Sequence, residues 1–238
     1  MAFSSDDSGH IVQSFDDDLE GLQDAVRRMG AMVAEQIARC GDLISNGAAD
    51  AAGGGNLVIE VDRAVDALEL EINDRAVVVI TKRQPMADDL RVVLTAMKMA
   101  GALERAGDYA KNIAKRLSAL QDQGAVEGIS GALVAMSRLA EAQIRSAMQA
   151  YNANDAELAL AVWADDVELD RLHNEAHGQI LSAMRRSQAH DLSHVMFIAK
   201  NLERIGDYAT NLAEMVHFLA SGHYPEDERP KADKTAQS

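Results

Sequence analysis

Apolar residues recur every three or four positions along most of the chain, which is the spacing of one face of an α-helix. In the first such stretch, at about 10–45, the stripe includes Phe15, Leu22 and Ile37. Five more follow: one that ends at Lys82-Arg83, one that runs to about Leu120, and others at 126–152, 155–186 and 190–221. The pattern therefore predicts six long helices.

The boundaries between these stretches carry helix-ending residues. Residues 82–89 place Lys82 and Arg83 at the end of one helix, Pro85 at the opening of the next and two aspartates in its first turn, as the helix dipoles favour. Residues 152–155 read as a turn with a cap. The glycines at 53–55 either loosen the second helix or delay its start to Asn56, and the sequence leaves this open. The polar ends, 1–9 and 223–238, are predicted to be disordered tails.

A ten-residue segment of the third stretch recurs in the sixth. Leu103-Glu-Arg-Ala-Gly-Asp-Tyr-Ala-Lys-Asn112 returns 99 residues later as Leu202-Glu-Arg-Ile-Gly-Asp-Tyr-Ala-Thr-Asn211, with eight of the ten positions identical. The stretches before each copy match more loosely, around 61–68 and 165–172. Repetition at a fixed period indicates a duplicated structural unit.

Long helices with short connections pack antiparallel as bundles. We therefore predict an all-α fold of two tandem three-helix bundles related by internal duplication. The first repeat covers 10–122 and the second 123–222.

The composition agrees with helices and restricts the function. The chain is 47% hydrophobic but only 4% aromatic, with three prolines in 238 residues. Its net charge of −15 argues against a nucleic-acid partner and makes cations the natural ligands. The single cysteine, Cys40, fits a reducing compartment. The polar N-terminus carries no secretory signal, and the apolar run at 76–80 is too short to span a bilayer, so we expect a soluble, cytoplasmic protein.

Acidic side chains recur at helical spacing beside the apolar stripes. Residues four apart share one face of a helix. The ridges defined in this way are Glu104, Asp108 and Asn112, the equivalent Glu203, Asp207 and Asn211, and, on the preceding helices, Asp62, Asp66, Glu69 and Asn73 with their counterparts Asp166, Asp170, His173 and His177. Because each ridge borders an apolar stripe, we predict that two ridges meet in one groove in each repeat.

Carboxylates packed this closely need protonation, basic partners or a cation. The duplicated arrangement favours a metal ion, and carboxylate, amide and occasional histidine ligands suit Fe, Zn, Mn or Mg without selecting among them. The alternative is an ion-paired ridge, in which Arg63, Arg105 and Arg204 neutralise the acids.

Other motifs predict less. Glu214 and His217 have the spacing of a di-iron Glu-x-x-His motif, but the first repeat lacks the second half of such a site. Cys40 is predicted to pack in the core. No phosphate-binding glycine loop and no nucleophile–base set is visible, so the sequence does not suggest an enzyme.

With these residues in view, the chain resembles the PhoU family of phosphate-signalling regulators. The resemblance covers nearly all of the predicted helices. Its most specific segments are Lys82-Arg-Gln-Pro-x-Ala-x-Asp-Leu-Arg91 and the doubled Leu-Glu-Arg-x-Gly-Asp-Tyr-Ala.

The resemblance implies a negative regulator of phosphate uptake and of the phosphate-starvation response. It implies contacts with the ATPase subunit of the phosphate ABC transporter and with a sensor histidine kinase. It also implies metal ions on E/D-x-x-x-D motifs, for which the matching positions are Glu104, Asp108, Glu203 and Asp207, supported by Asp62, Asp66, Asp166 and Asp170. His173 and His177 depart from Glu69 and Asn73 of the first repeat, so equal metal occupancy of the two repeats does not follow.

Two other classes of protein remain open from the residues alone. One is a metal-free helical interaction scaffold, and the other is a carboxylate-bridged metal redox enzyme. The metal, its nuclearity, the partner surface and the oligomeric state, including a homodimer, are not determined by the sequence.

Overall fold

The computed structural model describes residues 5–46, 51–121, 128–164, 166–185 and 189–226, with side chains described except at 5–13, 51–53, 166 and 189. All the regular structure in these ranges is helical. The helices are α1 (Ser5–Asn46), α2 (Ala51–Arg83), α3 (Asp88–Ser118), α4 (Ser130–Ala153), α5 (Ala156–Ala164), α6 (Asp166–Met184) and α7 (Ala189–Ser221).

These helices correspond to the six predicted stretches, with differences at the ends. α1 begins at Ser5, inside the segment predicted to be a disordered tail. The fifth stretch corresponds to α5 and α6, which are separated by residue 165, outside the described residues. α2 begins at Ala51 and contains the glycine triplet. A Cβ at Gly54 would lie 2.6 Å from Leu43 Cδ2, so glycine lets α2 start close against the end of α1.

Local chemistry explains where the helices end. Gln84 and Ala87 adopt positive φ values of 49° and 48°, which separates α2 from α3. α4 ends at Ala153, and its C-cap Asn154 has the left-handed conformation that asparagine tolerates. The Asp155 side chain then accepts hydrogen bonds from the backbone N–H groups of Glu157 (2.9 Å) and Leu158 (3.0 Å), which caps α5. The predicted capped turn at 152–155 is therefore confirmed.

The two repeats pack side by side. α1, α2 and α3 contact one another in the first repeat, and α7 contacts α4, α5 and α6 in the second. Equivalent helices also meet across the molecule, because α1 packs on α4 and α3 packs on α7. The buried apolar residues of both repeats form one continuous core. The predicted fold of two duplicated three-helix bundles is confirmed.

The duplicated motif lies at the contact between the repeats. The rings of Tyr109 and Tyr208, which occupy the same position in the two copies, have centroids 5.9 Å apart. On the opposite side, Ser137 Oγ of α4 donates a hydrogen bond to the Ile37 carbonyl oxygen of α1 at 3.0 Å. The repeats are thus joined by equivalent helices on both sides of the core.

The chain remains packed just beyond α7, where the sequence predicted the start of a disordered tail. The Tyr224 ring stacks on Phe218 with centroids 4.7 Å apart, and Lys98 Nζ donates to the Tyr224 hydroxyl at 3.0 Å. These contacts of Tyr224 with α7 and α3 lie inside the segment that the sequence predicts to be a disordered tail. Residues 227–238 lie outside the described residues.

No helix in the described ranges combines the length and the apolar character needed to cross a membrane. This agrees with the short apolar runs of the sequence.

Candidate functional site

The glycine of each duplicated motif brings its helix close to the other two helices of its repeat. A Cβ at Gly107 would lie 3.0 Å from Gln36 Oε1 on α1 and 3.8 Å from Asp62 Oδ1 on α2. A Cβ at Gly206 would lie 3.3 Å from Gln143 Oε1 and only 2.1 Å from Leu169 Cδ2. The same glutamine–glycine contact therefore occurs in both repeats. In the first repeat the residue after the glycine, Asp108, lies within electrostatic reach of Asp62 on α2.

The first repeat holds a lysine between the acidic ridges of α2 and α3. Asp62 is only 2% exposed. Lys111 Nζ lies 2.6 Å from Asp62 Oδ2 and also forms an ion pair with Asp108, one turn earlier on its own helix. The Lys111 side chain, which is 19% exposed, therefore joins the two ridges.

The environment of this cluster favours the charged lysine. Burial alone would lower the pKa of Lys111, but its hydrogen bonds and charge interactions with Asp108 and Asp62 outweigh that effect, and the pKa is raised. Burial raises the pKa of Asp62, as do the charges of Asp66 and Asp108, while Lys111 opposes the shift. Lys111 is therefore what makes a buried carboxylate at position 62 tolerable.

The outer part of the same groove is acidic and more open. Burial, followed by the charge of Asp108 and more weakly by that of Glu69, raises the pKa of Glu104 to about 7. Arg105 opposes the shift, with its Nε 3.5 Å from Glu104 Oε2, but its side chain is 60% exposed. Acids of α2 and α3 thus lie within electrostatic reach of one another, as the spacing predicted.

This raised pKa predicts a pH-dependent effect of Glu104→Gln. The folded state favours the protonated carboxyl, so stability is lost as the pH rises from the usual pKa of 4.5 towards the folded value of about 7. Glutamine does not ionise, so the variant should be more stable than wild type by about 1 kcal/mol at about pH 8, and equal to it at about pH 4.

Urea unfolding in the presence of a chelator measures this difference. Glu60→Gln, an exposed position on α2, is the matched control and should give no pH-dependent gain. Equal stabilities of wild type and Glu104→Gln at alkaline pH would contradict the raised pKa.

The second repeat has a different set of charged groups. Burial lowers the pKa of His173 on α6, and the charge of Glu203 on α7 opposes this shift, so the two side chains lie within electrostatic reach of each other. Lys200, which is half exposed, forms an ion pair with Glu203 from the rim of the groove. At the position equivalent to Lys111 stands Thr210, which is buried and donates a hydrogen bond to the Gly206 carbonyl oxygen at 3.1 Å. The second groove therefore has no internal lysine at this position.

The predicted site residues differ in exposure. Half-buried positions are Asp66, Glu69, Asn73, Glu104, Asp108, Asp170, His173, Glu203, Asp207 and Asn211, whereas Asn112 and His177 are exposed. The side chain of Asp166, the counterpart of Asp62, lies outside the described residues. Among the described side chains, no three of His, Cys, Asp or Glu are grouped as a bound metal ion requires.

Sequence reasoning missed two residues of the first groove. Lys111 is one of the two positions at which the ten-residue repeat differs, so the mismatch with Thr210 was the available signal. Gln36 interrupts the apolar stripe of α1, is fully buried, and donates from Nε2 to the Val58 carbonyl oxygen at 3.1 Å. The ion-paired alternative holds in part, because Arg105 lies 3.5 Å from Glu104 and 3.8 Å from Asp108. It did not name Lys111, the cation that joins the two ridges.

The weaker motifs take structural roles. Trp163 Nε1 donates to Glu214 Oε1 at 3.1 Å, and His217 Nδ1 donates to the His223 carbonyl oxygen at 2.9 Å. Cys40 is buried and donates to the Ala110 carbonyl oxygen, and burial raises its pKa to about 12. An unreactive thiol in the core agrees with the predicted packing role.

The fold and the grooves define a class of protein: a duplicated helical bundle with acidic interhelical grooves, one of which holds a lysine between two of its aspartates. The family model described as the PhoU domain matches the chain twice, at residues 26–117 and 133–216. The chain belongs to the PhoU family.

Similar proteins agree with this assignment over nearly full length. The chain is 40% identical to a phosphate-specific transport system accessory protein PhoU homolog of Zymomonas mobilis, with 94% of each protein covered. It is 36% identical to the protein of the same description from Caulobacter vibrioides, covering 96% of this chain and 99% of that one. These names describe accessory proteins, which confirms the prediction that the chain is not an enzyme.

Solved structures share the fold. The crystal structure of PhoU from Pseudomonas aeruginosa superposes with a TM-score of 0.82 at 29% identity, covering 88% of this chain and 100% of that one. PhoU from Streptococcus pneumoniae, at 23% identity and a TM-score of 0.81, supports the fold alone; the match covers 89% of this chain and 99% of that one.

Proposed function

We propose that this protein is a cytoplasmic negative regulator of phosphate uptake and of phosphate-starvation signalling. The observation that carries the proposal is membership of the PhoU family over nearly the whole chain, with relatives described as accessory proteins of a phosphate-specific transport system. An accessory role also fits a molecule whose grooves carry charge but offer no nucleophile–base set in the sequence.

Deleting the gene should leave the phosphate-starvation genes expressed in phosphate-rich medium, because the regulator that represses the response is lost. Reporter expression and phosphate uptake measure this, and a plasmid copy of the chain should restore repression. Expression that stays repressed, with unchanged uptake, would show that the proposed regulation is wrong.

We propose that regulation occurs through contacts with the transporter's ATPase subunit and with the sensor histidine kinase. The net charge of −15 supports partners that present basic surfaces. On the outer side of α2, Leu70 and Val77 are exposed beside the acidic Asp74. A partner could therefore make an apolar contact there and place a basic side chain next to Asp74.

Binding to either partner should weaken as salt rises, because exposed charges are screened over a Debye length that shortens roughly threefold between about 50 and 500 mM. Titration calorimetry or surface plasmon resonance measures the affinity, with sucrose as a control that does not screen charge. Affinity that is unchanged by salt would remove charge from the basis of recognition.

We propose a metal site in the second repeat only. Its donor types there are carboxylates and imidazole, from Asp170, His173, Glu203 and Asp207, and Fe, Zn, Mn and Mg all remain candidates. A bound cation would neutralise the acids and tie α6 to α7. The first repeat does not fit a metal ion, because Lys111 lies between its acids.

A further inference from the structure

We infer that the first repeat carries its own cation and takes no metal ion, so that the two duplicated grooves have diverged in function. The ammonium group of Lys111 occupies the position between Asp62 and Asp108 at which a metal ion would bridge α2 and α3. This inference concerns only the chain's own groove and does not depend on the regulatory role.

A metal ion and the Lys111 ammonium group cannot both bind Asp62, because they would lie too close together. Lys111 Nζ is 2.6 Å from Asp62 Oδ2, and a metal ion on the same carboxylate would sit about 2.0 to 2.6 Å from its oxygens. A divalent ion and an ammonium on neighbouring oxygens would lie only a few ångströms apart, where like charges repel strongly in a partly buried groove. A metal ion would therefore have to displace the lysine.

Displacement is unfavourable because the lysine is covalently attached and well held. Its ammonium donates hydrogen bonds to carboxylates of both helices, Asp62 on α2 and Asp108 on α3. A metal ion must instead be gathered from solution and lose its hydration shell. The lysine thus supplies a positive charge between Asp62 and Asp108 at every metal concentration.

The second repeat has an equivalent groove without a lysine at this position. Thr210 replaces the lysine, and its hydroxyl is turned to the Gly206 carbonyl oxygen of its own helix. The lysine of that repeat, Lys200, reaches Glu203 from the half-exposed rim. The position at which a cation would join the helices from inside is therefore uncharged in the second repeat.

Metal counting on the full chain tests the inference. In a Glu203→Gln, Asp207→Asn background, which disables the second groove, dialysis against Mn²⁺ or Zn²⁺ followed by elemental analysis should find no stoichiometric metal. Adding Lys111→Thr, which copies the residue of the second repeat, should raise the content to about one ion per chain and make the melting temperature sensitive to chelator.

Lys115→Thr is the matched control, because Lys115 is exposed on the same helix and its removal changes the net charge equally. It should bind no metal. Asp62→Asn added to Lys111→Thr should abolish the gain and keep the chain folded by circular dichroism.

Stoichiometric metal in the disabled background with Lys111 intact would overturn the inference. So would a folded Lys111→Thr variant that binds none. A wild type that holds no metal would contradict the proposal for the second repeat while supporting the inference for the first.

Discussion

Replacing Gly206 by alanine should lower the free energy of unfolding by about 1 to 2 kcal/mol, although alanine is the better helix former. The added Cβ would lie 2.1 Å from Leu169 Cδ2, and Leu169 is only 1% exposed, so its side chain has little room to move. Overpacking costs about 1 to 3 kcal/mol, and a contact as short as 2.1 Å belongs to the upper part of that range. A propensity gain of about 1 kcal/mol then leaves a net loss of about 1 to 2 kcal/mol. Urea unfolding measures the net effect.

Gly178→Ala is the matched control within the same repeat. Gly178 lies inside α6 with no atom within 4 Å of the added Cβ, so only the helix propensity changes. That variant should gain about 0.5 to 1 kcal/mol. Combining Gly206→Ala with Leu169→Ala should be less harmful than the two single effects added together, since the clash is gone. If Gly206→Ala is as stable as Gly178→Ala, α6 and α7 do not lie as close together at Gly206 as described.

The helices and their duplication were predictable because both are recorded in local spacing. Stripes such as that of α1, with Leu22, Val26, Met29, Val33 and Ile37 all fully buried, follow from the period of the helix alone. The repeated ten-residue segment then identified the third helix of each unit. The contacts between equivalent helices, such as Tyr109 on Tyr208, depend on how two units pack, and no local pattern contains that information.

The acidic ridges were also predictable, but their neutralisation was not. Spacing of four residues placed Glu104 and Asp108 on one face, and the charge interactions of Glu104 with Asp108 and Glu69 agree with two ridges that meet. Such a cluster can be balanced by a metal ion from solution or by a basic side chain of the protein. The second case requires one long side chain to reach across the groove. Lys111 does so from a position three residues after Asp108, and the spacing of the acids does not specify which side chain crosses the groove.

Replacing Lys111 by methionine should lower the free energy of unfolding by about 2 to 4 kcal/mol near neutral pH, which is more than the loss expected for Gly206→Ala. The reason is that the buried Asp62 carboxylate loses its partner. Methionine keeps most of the length and the apolar stem of lysine, so packing changes little. The loss should shrink as the pH falls, since Asp62 then becomes protonated more easily. Chemical unfolding in chelator at several pH values measures both effects.

The double variant Lys111→Met, Asp62→Asn distinguishes an ion pair from a packing role. Removing both charges leaves no uncompensated buried ion, so most of the lost stability should return. Lys115→Met, at an exposed position of α3, should change stability by less than about 0.5 kcal/mol. If the double variant is as unstable as Lys111→Met alone, the loss does not come from an uncompensated Asp62 carboxylate, and the ion pair is not what stabilises the first groove.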